Sequence, residues 1–203
     1  NGILSMEGTA SLAITSGVIT YGSAATLQYN TTTARTAGVE WISPFAATGG
    51  IVISNTGAIS MNSAETLSAS VPLTINAGST LTPGANLLTL GGNFNNSGTL
   101  TSGAGGVTIN GAATSQNISG FTTTGPVSIS KSSGTVVFKG SVSSGAFTVS
   151  SGNLLDLGTF TSTTSTLSLG GNGVINGSWG SSSSTATYKN DTYFAPSTGS
   201  LTI

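Results

Sequence analysis

Nine side chains carry formal charge: Arg35, Lys131, Lys139 and Lys189 against Glu7, Glu40, Glu65, Asp156 and Asp191. Histidine and cysteine are absent. A Ser-His-Asp triad, a Cys-His pair and a thiolate or imidazole zinc site therefore cannot be assembled, however many serines the chain has. Glycoside hydrolysis needs only two carboxyl groups facing each other across a sugar bond. Glu65, Asp156 and Asp191 are far apart in sequence and share no motif. Gly170-Gly171-Asn172-Gly173 begins like a calcium-binding turn of the Gly-Gly-x-Gly-x-Asp type, but no Asp follows it, so the run reads as a tight corner. The expectation is a protein that is not an enzyme, with no catalytic residue, no metal ligand and no cofactor.

Two other sets of residues could make contacts. Trp41, Phe45, Tyr188 and Tyr193 are a candidate aromatic contact surface, with sugar stacking as the contact chemistry and filling of the two irregular ends as the structural alternative. Asn76 and Asn110 each follow an apolar doublet by one residue, which predicts amides stacked along a corner. Asn-x-Ser/Thr triplets at Asn30, Asn95, Asn117, Asn176 and Asn190 are what this composition produces, and no modification is assigned to them.

Composition narrows the class. Charged residues make up 4% of the chain, where an ordinary soluble domain has about a quarter. The net charge of −1, spread singly, offers no basic stripe for phosphates, so nucleic acid is excluded as a partner. At 36% apolar residues, in short regular runs, the chain is not of the disordered class. No stretch approaches the roughly 20 apolar residues of a membrane helix, and the start at Asn1 has no basic signal-peptide region, so the sequence reads as a mature chain or an excerpt.

The elements that would position these residues are short strands. Val107-Thr108-Ile109, Val127-Ser128-Ile129, Phe147-Thr148-Val149 and Leu167-Ser168-Leu169 begin 20 residues apart at every step. The same apolar-x-apolar signature stands at Ile51–Ile53, Leu73–Ile75, Leu88–Leu90 and Leu201–Ile203, with looser spacing. Further apolar strands follow after turns rich in Gly, Asn and Ser, at Ala58-Ile59, Thr80-Leu81, Asn117-Ile118, Val136–Phe138, Leu154–Leu157 and Val174-Ile175. Period-two alternation puts the apolar side chains inside and the hydroxyls outside. With 30 glycines and no charged helical stripe, helices are disfavoured.

A constant period of this length predicts an all-β parallel β-solenoid with about 20-residue rungs, because each coil can bury its face only against its neighbours. A set of β-sandwich repeats is the alternative, since short strands with frequent turns suit it too. The expected organisation is one domain over 1–203, with an irregular part at 1–50, regular rungs at 51–175 and a second irregular part at 176–203. Within the first part, Ala10–Phe45 holds the densest aromatic stretch. A terminal Leu201-Thr202-Ile203 of the internal type predicts an open edge, which the first rung of another copy, near Leu12 and Ile14, would cover. Self-association through Leu12, Ile14, Leu201 and Ile203 follows from that reading.

Three runs carry a likeness to a known family: Ala25-Thr26-Leu27-Gln28-Tyr29-Asn30, Val71-Pro72-Leu73-Thr74-Ile75-Asn76-Ala77-Gly78-Ser79-Thr80-Leu81, and Gly91-Gly92-Asn93-Phe94-Asn95-Asn96-Ser97-Gly98-Thr99-Leu100. They resemble the β-strand repeats of large secreted surface proteins of Bacteroidetes and related bacteria, over most of residues 20–170. The resemblance implies export to the cell surface, often by the type IX route, and service as a structural filament, stalk or adhesin. Its partners would be other copies, or adjacent repeats of a longer chain. Two alternatives are an adhesin module that binds glycans or another surface, and an ice-binding solenoid that uses Thr74, Thr108 and Thr148.

Overall fold

The computed structural model describes residues 2–203. Its 25 strands join into sheets of eight, ten and seven strands, and no helix stands among the described residues. The chain winds through the three sheets in turn, about eight times, at about 21 residues per coil. No helix is long and apolar enough to cross a membrane among the described residues.

The 20-residue doublets form the third sheet. Val107 pairs in parallel with Val127, Val127 with Phe147 and Phe147 with Leu167, while Ile109, Ile129, Val149 and Leu169 run alongside in the same register. All eight side chains are buried. Each Thr or Ser between them points outward, because successive strand residues face opposite sides. Parallel pairing at every coil excludes the sandwich. The described antiparallel pairs are confined to the C-terminal end, where Leu167–Leu169 meets Asn172–Gly173 and Ser178–Gly180 meets Ser200–Thr202.

The other doublets belong to different faces. Ile51–Ile53 and Leu73–Ile75 lie in the first sheet, Leu88–Leu90 in the third, and Leu201 in the second. Leu73-Thr74-Ile75, Leu88-Thr89-Leu90 and Leu201-Thr202-Ile203 share one apolar-hydroxyl-apolar pattern in three different sheets, so the pattern marks strands without marking faces. The coil holds three strands, and aromatic edges tie the sheets together across the lumen. Phe94 of the first meets Phe121 of the second at 6.0 Å, and Phe138 of the first meets Phe147 of the third at 6.1 Å.

Corners need special backbone. Gly106, just before Val107, has φ of 76°, and a Cβ there would run into the Pro126 carbonyl of the next coil. The expected amide stack does not form, because Asn76 follows a first-sheet strand and Asn110 a third-sheet strand, which places them at different corners. Asn76 instead donates to the Ser54 hydroxyl at 3.0 Å. The corner between the third and first sheets holds a buried polar chain of another composition. Gln116 donates to the Leu90 and Gly92 carbonyls, and accepts from the Gly111 N–H at 2.9 Å. The Lys131 ammonium donates to the carbonyls of Gly111 and Ala113. Asn153 accepts from the Lys131 N–H at 2.9 Å and donates to the Lys131 carbonyl at 3.1 Å. These side chains satisfy peptide groups where the ladder is interrupted.

The expected open edge at Leu201–Ile203 is also corrected. Ser200–Thr202 lies inside the second sheet, paired on one side with Thr161–Thr164 and on the other with Ser178–Gly180. Leu201 is fully buried and Ile203 packs against the core. The segment after Leu169 turns back over the last coil: Phe194 bridges to Leu155, and Trp179 stacks on Tyr188 at 4.9 Å.

Candidate interaction surfaces

The N-terminal end is built around one ion pair. Alternation in Arg35–Thr36 sets Arg35 opposite the inward Ile59, so its guanidinium enters the lumen, 3.7 Å from the Glu40 carboxylate. Glu40 Oε1 also accepts from the Tyr29 hydroxyl at 3.0 Å and from the Gly38 N–H at 2.9 Å. The guanidinium lies 5.7 Å from the centre of the Tyr29 ring, which in turn packs 5.9 Å from Trp41. Burial, reinforced by the Glu40 charge, pushes Tyr21 up to about 12, and the same causes hold Tyr29 well above the ordinary phenol range. Both phenols stay protonated donors at any physiological pH. Beside this cluster, an open cavity of about 370 Å³ is lined by Ile19, Tyr21, Ser23, Ile42 and Ala47.

This geometry takes the aromatic contact surface apart. Trp41 and Phe45 are buried at the N-terminal end, Phe45 completely, so they are core residues. Tyr188 and Tyr193 are partly exposed and belong to the C-terminal closure. Of the proposed association residues, Leu12 and Ile14 are exposed and Leu201 is not. Leu12 and Ile14 share the N-terminal end with Ile3, 67% exposed, and Val18, 86% exposed, the most exposed of the large apolar residues. Ile3–Glu7 is the terminal strand of the first sheet, paired with Thr26–Asn30 on one side.

A different surface emerges on the second sheet. Its inward column includes Ile59, Leu81, Leu100, Phe121, Val142 and Leu201, all buried. The residue that follows each of these faces outward, and every one is Thr or Ser. Thr36 pairs with Ser60 and Ser60 with Thr82. After a register shift next to Leu100, Thr101 pairs with Thr122, Thr122 with Ser143, Ser143 with Thr163 and Thr163 with Thr202. A second outward column runs beside it, with Thr80 paired to Thr99 and Thr161 to Ser200. The third sheet carries one outward column of the same chemistry: Thr66, Thr89, Thr108, Ser128, Thr148 and Ser168. Thr74 stands apart on the first sheet, whose outward column also holds Gln28, Val52 and Asn95.

Reading the sequence for doublets missed the second-sheet array, because it crosses strands whose inward members vary from Leu to Phe to Ser. The signal that finds it is Thr-x-Thr spacing, as in Thr80-Leu81-Thr82, Thr99-Leu100-Thr101 and Thr161-Ser162-Thr163.

Glu65 is the remaining unusual group. It pairs in register with Leu88 and so occupies an inward position of the third sheet. It is 1% exposed, and one carboxyl oxygen accepts from Ser63 at 3.0 Å while the other has no partner. Burial raises its pKa, against the opposing pull of the Ser63 hydroxyl. Glu65 and Glu40 are enclosed in the core, so neither forms a carboxylate pair open to substrate. Comparison with known proteins adds no assignment: no protein-family model, no curated protein and no solved structure matches the chain.

Proposed function

We propose that the chain is a structural segment of a bacterial cell-surface filament or stalk, exported to the outside of the cell, whose work is to hold an extended shape rather than to catalyse. The observation that carries this reading is the in-register stack of three parallel sheets, which keeps neutral hydroxyls in the outward columns of two of them. Repetition brings like residues within about 4.8 Å of one another from coil to coil. A charge repeated there would repel its copies, whereas the neutral hydroxyls of Thr and Ser do not, and Thr also favours extended backbone. Such a rod gains stability coil by coil from nearest-neighbour contacts.

Its partners in this reading are further coils of the same kind, or a second copy, meeting the terminal strand Ile3–Glu7 and the exposed Ile3, Leu12, Ile14 and Val18. The last coil is covered by the chain's own segment, through Ser178–Gly180 and Phe194. A glycan-binding adhesin is less favoured, since its aromatic residues are divided between the core and the far end.

The test is immunolabelling of intact source cells with antibody raised against the folded chain, followed by negative-stain imaging of the shed material. Surface labelling on elongated particles is expected. Label that appears only after lysis, or on compact dispersed particles, overturns the proposal.

A further inference from the structure

The outward face of the second sheet carries two hydroxyl columns side by side, where the third sheet carries one. From Thr101 through Thr122, Ser143, Thr163 and Thr202 the hydroxyl column is unbroken in register, and Thr99, Thr161 and Ser200 stand beside it two residues away on the same strands. With Ser141 between Thr99 and Thr161, and a gap at Gly120, the two columns make a two-dimensional grid. Its spacings are about 4.8 Å between coils and about 6.7 Å along a strand. No outward position named here carries a charge, an aromatic ring or a large aliphatic group.

Each absence bears on what could bind. Protein interfaces draw their affinity from buried Trp, Tyr and Arg anchors, and sugars stack on aromatic rings. Phosphates need cations. What a rigid grid of hydroxyls and methyls can match is a surface that is itself periodic, neutral and made of hydrogen-bond donors and acceptors. Ice is such a surface, and the repeats between its water oxygens are of the same order as the two spacings. Threonine suits the task because its branched Cβ restricts χ1 and sets the hydroxyl and methyl side by side. The order of the grid is established when the protein folds, so binding need not supply it. Ser143 and Thr163 show the grid held together internally, with a hydroxyl hydrogen bond of 3.0 Å between coils.

We infer that this face, centred on Thr101, Thr122, Ser143 and Thr163, binds the surface of ice. The inference is independent of whether the chain belongs to a filament, and it rests on the second sheet rather than on Thr74, Thr108 or Thr148. The test uses the whole chain in a nanolitre osmometer and in partition into a growing ice hemisphere. Thr122→Tyr puts a bulky ring at the centre of the grid, and Thr148→Tyr puts the same ring on the third sheet. The parent and Thr148→Tyr are expected to shape ice, show thermal hysteresis and enter the hemisphere. Thr122→Tyr is expected to fall to the buffer baseline with unchanged circular dichroism and melting temperature. A parent that neither shapes ice nor exceeds buffer overturns the inference. So does loss of activity in Thr148→Tyr with retention in Thr122→Tyr, or Thr122-dependent retention on cellulose or chitin without any effect on ice.

Discussion

Glu65 shows how a single residue can oppose the fold that contains it. Its column continues as Leu88, Val107, Val127, Phe147 and Leu167, and a carboxylate with one unpartnered oxygen heads that apolar series. Burial raises its pKa, so the folded state prefers the protonated acid. The sign follows from linkage: the stability due to the neutral form is fully present below the ordinary carboxylate pKa of about 4.3, and is lost as pH rises through the higher folded value. Glu65→Gln keeps the shape and removes the charge. It is expected to melt higher than the parent at pH 8, by about 2–4 °C for each kcal/mol gained, and to match the parent near pH 4. A variant less stable than the parent at pH 8 contradicts this reading of Glu65. Nothing in the sequence around Glu65 marks it as inward-facing, because Glu65-Thr66-Leu67 lacks the apolar first member of a doublet.

At the scale of the strand, the middle and the end of the molecule answer substitution differently. Ile129 is fully buried with parallel neighbours on both sides. Ile129→Asp is therefore expected to cost about 3–5 kcal/mol, and hydrogen exchange should quicken in Val107–Ile109 and Ala146–Val149 as well as in the mutated strand. Leu201→Lys replaces an equally buried side chain, in a strand held between Thr161–Thr164 and Ser178–Gly180. Its damage is expected to stay local, with faster exchange from 178 to 203 and protection kept in the coils before Thr161. Uniform loss of protection along the whole chain would show that the coils do not behave as separable neighbours. These strands also mark how far the sequence is legible. The 20-residue period gave the parallel register from Val107 to Leu169, because one side-chain column repeats there without insertion. It did not reveal that Ile51–Ile53 and Leu201–Ile203 serve other faces, nor that Ser178–Gly180 covers the last coil, because alternation encodes inside and outside but not which of three sheets is formed.

For the molecule as a whole, the two ends are unlike. One is closed by its own turned-back segment; the other presents the terminal strand Ile3–Glu7 beside exposed Ile3 and Val18. The surface between them is laid out by the stack. Hydroxyls scattered through the sequence become columns only when the coils register, so the grid on the second sheet was legible as Thr-x-Thr pairs but not as an array. That face, the core and the two ends all depend on successive coils lying in parallel register at a constant rise. Since the chain has no cysteine, spin labels can be placed cleanly at Thr66→Cys paired with Thr148→Cys, and at Thr66→Cys paired with Ser168→Cys. These outward positions are separated by four and five coil steps in the third sheet. Pulsed electron–electron resonance is expected to give backbone separations of about 19 and about 24 Å, an increment of one strand spacing for 20 further residues. Two distances that do not grow with coil number, or a shorter one for the pair more distant in sequence, would contradict the solenoid.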